Sequence, residues 1–295
     1  MNVTATKPIS TSPLAEGCAA VERSMRQLIS EFGAPDDSLS SAFSSHLESG
    51  GKRTRTEVSL SCSNSLGLSY SDATALASAV ELLHNASLIQ DDLQDRSLLR
   101  RGEAAIWNRF GEDVAIGLTD LAISASYRAL AYLSKSTCIP GLLSSLHRAI
   151  AVTLRGQAND LDGTTGDLSS AISIARRKSG PLFALSLELP LIAAGEDDFI
   201  DLAREAAECL GVGYQICDDV VDLEQDRAGG TCGNIVLVLE TFGESSDPLG
   251  EAKRLAYQFL EKAVASALLL PSGSGNALVE LATAVRRRLD QSSHE

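Results

Sequence analysis

Two acidic pentads stand out, Asp91-Asp92-Leu93-Gln94-Asp95 and Asp218-Asp219-Val220-Val221-Asp222, both of the form D-D-x-x-D. Each follows a largely apolar run suited to a helix, Ala86 to Ile89 before the first and Gly213 to Cys217 before the second. On a helix the first and last Asp of such a pattern lie four residues apart, so they share a face about one turn apart. Like charges at that spacing repel even on an exposed helix, and more strongly where water is scarce. One pentad alone reads equally well as an exposed acidic helix end. A chain that carries two points to cations held between the carboxylates. Oxygen donors favour hard ions, and Mg²⁺ is commonly bound by one or two carboxylates together with substrate phosphate oxygens.

Cationic groups flank the first pentad. Gly50-Gly51-Lys52-Arg53-Thr54-Arg55 precedes it and Arg100-Arg101-Gly102 follows it. A Gly-Gly turn leading into Lys and Arg suits phosphate binding, with flexible backbone for close approach and charged donors behind it. Each of these, taken singly, is also what a solvated surface turn looks like. His84, alone, reads equally as a hydrogen-bonded core histidine.

The elements that must position these groups are helices. From Ala15 onward the apolar periodicity predicts helices over Glu22–Phe32, a segment to His46, Thr56–Leu66, Ser71–Gln94, Gly111–Leu133 and Pro140–Asp160. Leu168–Ala194 follows, with Pro181 and Pro190 as candidate kinks or breaks, then Asp197–Leu223, Leu249–Leu269 and Asn276–Leu289. Ile235–Leu239 is the one short strand candidate. The expectation is one all-α domain over 17–295 behind a loose tail, 1–16, with each pentad ending a helix and the two facing each other across a cavity.

Composition agrees. The 295 residues are 44% hydrophobic, 22% charged and only 4% aromatic, which suits a soluble globular chain of helices packed on small residues. A net charge of −14 argues against a general nucleic-acid binder. Cys18, Cys62, Cys138, Cys209, Cys217 and Cys232 show neither C-x-x-C nor zinc spacing, so reduced thiols in a cytoplasmic protein are expected. Stable membrane insertion is not expected, for want of an uninterrupted apolar run of spanning length.

Read in order, these segments resemble the trans-isoprenyl diphosphate synthases, or polyprenyl synthetases. The likeness runs through Gly50 to Arg55, Leu82-Leu83-His84-Asn85-Ala86-Ser87-Leu88-Ile89-Gln90 with the first pentad, and Arg100-Arg101-Gly102. It continues through Gly156-Gln157-x-x-Asp160, Lys178-Ser179 and Gly213-Tyr214-Gln215-Ile216-Cys217 with the second pentad. The resemblance implies an all-α bundle around a central cavity with the pentads at its mouth, as a homodimer. It implies that Asp91, Asp95 and Asp218 hold Mg²⁺ (three ions once diphosphate is bound), with Asp92, Asp219 and Asp222 completing the clusters. Arg100, Lys178 and Gln215 would face an allylic diphosphate (dimethylallyl, geranyl or farnesyl). Lys52, Arg55, His84 and Arg101 would cradle isopentenyl diphosphate. Ala86 and Ser87, five and four residues before Asp91, would set product length, and two small residues there favour geranylgeranyl diphosphate. A farnesyl diphosphate synthase, a class I terpene cyclase and a non-catalytic subunit are the alternatives. Three positions depart from the family pattern: Thr56 where Pro is common, Leu98 where an acid is common, and an arm after Asp222, Arg227 to Asn234, without the usual lysines.

Overall fold

The computed structural model describes residues 13–34, 37–161, 167–229, 233–242 and 245–292. In chain order the helices are α1 (Pro13–Ser30), α2 (Ser38–Glu48), α3 (Thr54–Ser65), α4 (Tyr70–Gln94), α5 (Ile106–Phe110) and α6 (Glu112–Leu130). They continue as α7 (Ile139–Leu161), α8 (Leu168–Ala194), α9 (Ile200–Val221), α10 (Leu223–Gly229), α11 (Ile235–Phe242), α12 (Pro248–Ala267) and α13 (Asn276–Gln291). The expected all-α architecture is borne out. Residues 13–16, assigned above to the tail, form the first turn of α1, and residues 1–12 lie outside the described part.

The helix α8 divides the interior. Its Leu182, Leu185, Leu189 and Ile192 join a core with α1, α2, α4 and α6. Its Phe183, Ala184, Leu187 and Leu191 join a second core with α9, α11, α12 and α13. A helix apolar all round belongs at the centre of a bundle, and burial on both sides holds α8 continuous through Pro181 and Pro190. Asp167 caps its start by accepting the Ser170 N–H, and Gly195, at φ +87°, ends it.

Small residues set the helix spacing. A Cβ on Gly211 of α9 would lie 3.0 Å from the Gly180 nitrogen of α8, and one on Gly156 of α7 would lie 3.1 Å from the Lys178 nitrogen. Both glycines let neighbouring helices close on the stretch of α8 that carries Lys178, Ser179 and Phe183.

The strand expected at Ile235–Leu239 is instead the start of α11. Asn234, buried, accepts the Val236 N–H at 2.9 Å as a helix cap, and that anchor outweighs the β-branched run. One two-stranded ribbon was not foreseen: β1 (Leu99–Arg100) pairs antiparallel with β2 (Glu103–Ala104). Arg101 (φ +56°) and Gly102 (φ +84°) form its two-residue turn, both left-handed, as such a hairpin requires. The Arg-Arg-Gly motif is therefore a hairpin tip.

Candidate active site

Both pentads end their helices in the same way. Asp95 and Asp222 are the C-cap residues of α4 and α9, and each donates its backbone N–H to the carbonyl of the first Asp, Asp91 or Asp218. Burial repeats as well: Asp91 and Asp218 are half-buried, Asp92 and Asp219 buried, Asp95 and Asp222 exposed. Helix C-termini carry partial negative charge, so carboxylates stand there against the macrodipole as well as against each other. Burial, aided by Asp95 and Asp92, pushes the Asp91 carboxyl up to about 6 against the pull of Lys178 and Arg100. Burial likewise raises Asp218, opposed by Arg288 and Lys52.

The middle aspartates hold the scaffold. Asp92 accepts two bonds from Arg100 Nε and one from Arg100 Nη2, the last at 2.5 Å, and so fastens β1 to α4. Asp219 accepts from Gln215 Nε2 and from the Ile235 N–H, each at 2.9 Å, which ties the start of α11 to α9. Its carboxyl is pushed up to about 6 by burial, against the Ile235 and Gln215 bonds. Asn234 reinforces this knot through the Asp219 carbonyl and the Asp226 carboxylate.

The expected cationic residues converge with α9. A cavity of about 600 Å³ is lined by Lys52, Arg55, His84, Leu88, Arg100 and Arg101, with Ser179 and Phe183 of α8 and Tyr214, Gln215 and Asp218 of α9. Asp91 and Asp95 follow His84 and Leu88 along one face of α4, at helical spacings of three and four. Lys178 exerts the largest opposing pull on the Asp91 carboxyl. Asp218 of the second pentad thus lines the cavity itself, and α4 reaches it through Leu88 and His84, one and two turns before Asp91.

Several bonds preset the cradle. Arg55 contacts His84 Nε2 at 3.2 Å and stacks over the Phe183 ring, 3.9 Å from its centroid. Burial lowers Arg55 to about 10, and His84 is held well below the usual histidine range by burial and then by Arg55. Neutral His84 is thus able to accept from Arg55. Arg101 Nη1 donates to the Gly50 carbonyl, and a Cβ on Gly51 (φ +139°) would lie 2.8 Å from the same nitrogen. The glycines of the turn admit Arg101.

Sequence reasoning missed several members. Arg53, in left-handed conformation at φ +51°, lines the cavity but is engaged by Glu81, at 3.4 Å and itself at the cavity wall, and by the Leu47 carbonyl. Glu81 also accepts the Thr56 hydroxyl at 2.8 Å, a bond that a proline at 56 could not supply. A lone acid in the otherwise apolar run of α4 was the available signal for Glu81. Phe183, Asn234 and Arg288 gave none. Arg227 is bonded by both terminal nitrogens to Glu240 on the surface. The Asp160 side chain, Thr231 and Cys232 lie outside the described part.

Behind the cradle, His46 is buried with Nε2 unpartnered, and burial followed by Arg101 and Arg100 lowers it to about 4. A depressed histidine contributes stability above its unfolded value, near 6.5, and loses it as pH falls toward the folded value. Asp91 and Asp219, both raised, act oppositely between about 4 and 6, so the comparison must be differential. Wild type is expected to lose about 3 kcal/mol relative to His46→Gln between pH 6.5 and 4, read from urea unfolding at each pH. A constant difference would contradict it.

The donors suit Mg²⁺. Among the described residues no three acidic, His or Cys side chains gather into a closed metal cage. Half-buried carboxylates of raised basicity with cationic groups acting on them, Asp218 on the cavity wall, match an ion that takes one or two carboxylates and completes its shell with phosphate oxygens and water.

Comparison with known proteins follows the same line. Residues 36–232 match the Polyprenyl synthetase family. The geranylgeranyl pyrophosphate synthase of Geoglobus acetivorans is 29% identical over 198 residues, 65% of this chain and 62% of that protein, so the match spans less than two thirds of that relative. The farnesyl diphosphate synthase of Bacillus subtilis is 30% identical over 238 residues, 76% of this chain and 80% of that protein. The solved G. acetivorans geranylgeranyl pyrophosphate synthetase superposes with TM-score 0.80 at 25% identity, covering 92% of this chain and 97% of its own. The Pyrococcus horikoshii geranylgeranyl pyrophosphate synthetase, at 24% identity and TM-score 0.81, shares the fold.

Proposed function

The chain belongs to the polyprenyl synthetase family, and from that membership we propose that it is a trans-prenyltransferase joining isopentenyl diphosphate to an allylic diphosphate (dimethylallyl, geranyl or farnesyl). One observation carries the reading: a single cavity holds Lys52, Arg55, His84, Arg100 and Arg101 opposite Gln215 and Asp218. A cyclase handles one diphosphate and has no use for a second anion cradle. A non-catalytic partner has no use for two complete pentads.

Asp91, Asp95 and Asp218 would hold Mg²⁺, with Asp222 at the exposed edge. When bound, the ions supply Lewis-acid neutralisation of the departing diphosphate. Lys178 and Arg100 add fixed positive charge beside Asp91. Lys52, Arg55 and Arg101 hold the second diphosphate so that its double bond meets the allylic carbon in bound geometry. Neutral His84 keeps Arg55 oriented. The proton lost from the new chain leaves with diphosphate, which fits a cavity whose histidine, His84, meets Arg55 through Nε2. Apolar Leu88 and Phe183 keep water from the cationic carbon.

Incubation with Mg²⁺, isopentenyl diphosphate and each allylic diphosphate, followed by mass analysis, tests the reading. Elongation ending near twenty carbons is the expected result. Hydrocarbon from an allylic diphosphate alone would favour the cyclase, and no product at all would favour the subunit. A farnesyl product is the second reading: the hollow lined by Leu83, Ala86, Ser87, Gln90, Ile123 and Ile150 measures only about 30 Å³, room for about one water. Ala86, buried against that hollow, gives a direct check. Ala86→Phe is expected to shorten the product by one five-carbon unit or more with turnover retained, at about 1–3 kcal/mol of overpacking. An unchanged product would remove Ala86 from the tail path.

The reading extends to a cytoplasmic homodimer. Among the described residues Cys18, Cys62, Cys138, Cys209 and Cys217 are free thiols. Ile116 on α6 and Leu143 and Leu154 on α7 are exposed apolar side chains that support a subunit contact. Sedimentation velocity distinguishes monomer from dimer.

A further inference from the structure

Asp218 carries a cation of its own. Arg288 of α13 forms an ion pair from Nη1 to Asp218 Oδ1, with the two side chains 36% and 32% exposed. The backbone beneath Arg288 is well seated. Leu278, Ala282, Val285 and Leu289 form the buried stripe of α13. The Cys217 thiol donates to the Val285 carbonyl at 3.8 Å, and the Tyr257 hydroxyl donates to Asp290. Arg288 therefore stands between two ties, one to α9 and one to α12. It also lines a hollow of about 430 Å³ that shares Lys52, Thr54 and Tyr214 with the diphosphate cavity.

The loop after Asp222 offers no equivalent among its described residues, since Arg227 is bonded to Glu240. The cation paired directly with the second pentad comes from α13. A guanidinium hydrogen-bonded to a carboxylate oxygen occupies a lone pair that a metal ion would use. It also places positive charge beside the metal position.

Resting on the reading that the pentads hold Mg²⁺, we propose that Arg288 is a built-in counterion that competes with a divalent cation for Asp218, and so sets the metal concentration at which the second pentad loads. Diphosphate relieves the competition, because its oxygens bring enough negative charge for guanidinium and metal to remain together. Metal and diphosphate binding are thereby coupled, each strengthening the other by the same factor.

Mn²⁺ binding, followed by the electron paramagnetic resonance of the free ion, tests this with and without inorganic pyrophosphate. Without pyrophosphate, Arg288→Gln is expected to bind Mn²⁺ about fivefold more tightly than wild type or better, and pyrophosphate should narrow the gap. Arg288→Met, which keeps the aliphatic stem, is measured in parallel and should show the same gain. Arg288→Lys, which keeps the charge, should stay near wild type. Adding Asp218→Asn to Arg288→Gln should abolish the gain, which assigns it to that carboxylate. Thermal melts establish which variants are folded. Unchanged or weaker Mn²⁺ binding in either folded neutral variant, with pyrophosphate still driving uptake, overturns the proposal and leaves the metal reading standing. No Mn²⁺ uptake by any protein, even with pyrophosphate, overturns both.

Discussion

Asp91→Asn is expected to lower kcat about a thousandfold while leaving the KM for isopentenyl diphosphate within a few-fold of wild type. The substitution is isosteric, so packing at the end of α4 is retained and only the charge is lost. That charge is costly where it stands, since burial and then Asp95 and Asp92 raise its carboxyl to about 6 against Lys178 and Arg100. In the proposed mechanism the cost is repaid when a divalent cation sits there. In the same proposal isopentenyl diphosphate is held by other residues, chiefly Lys52, Arg55 and Arg101, so binding of that substrate should survive. Asp92→Asn makes the contrast. It weakens the Arg100 bonds and should act through the mobility of Arg100, with a smaller loss in kcat. Equal losses for both variants would contradict the division between metal-facing and scaffold aspartates.

The same environment fixes a pH limb. If Asp91 holds the metal as proposed, the ion would have to displace a proton from it below about 6, so kcat/KM should fall as pH drops through that value. Asp219, also near 6, gains a proton in the same range and would loosen its bonds to Gln215 and Ile235. The acid limb should therefore be steeper than one proton, and less steep at higher Mg²⁺.

Glu188→Ala is expected to destabilise the fold by about 3 kcal/mol without touching the cavity. Glu188 is fully buried in α8. It accepts from Arg148 Nη2 of α7 at 2.6 Å and from Arg204 Nε of α9 at 3.1 Å, so one carboxylate fastens three helices. Its removal leaves two guanidinium groups without their shared anion. Both are partly exposed, at 31% and 25%, so water recovers some of the loss and the lower end of the usual 3–5 kcal/mol range applies. Replacing all three by apolar residues of similar volume should restore most of the stability, because the desolvation of the charges is removed along with their attraction. Urea unfolding of the single and triple variants reads both. A destabilisation below about 1 kcal/mol for Glu188→Ala would mean that the ties are slack.

Much of the fold was legible because helical periodicity is a local property. The ends of α4, α8 and α13 fall within a residue or two of the apolar pattern, since a Ser or Asp cap, a glycine stop and a 3.6-residue stripe are each written in adjacent residues. The Ile235–Leu239 misreading has the same root. A β-branched run says strand locally, and the cap that makes it a helix, Asn234, is held by Asp219 and Asp226 through the folded chain.

The chain alone determined which residues could do chemistry: two acidic pentads, a basic turn and an Arg-Arg-Gly motif, whose types and spacing define charge and reach. Tertiary structure alone decided which of them are free to do it. Arg53 is spent on Glu81, Asp92 on Arg100, Asp219 on Gln215 and Ile235, and Asp218 shares its carboxylate with Arg288 from the far end of the chain. The physical reason is that a charge's type is intrinsic to its side chain. Its partner is chosen by proximity and burial, and those exist only once remote helices have packed.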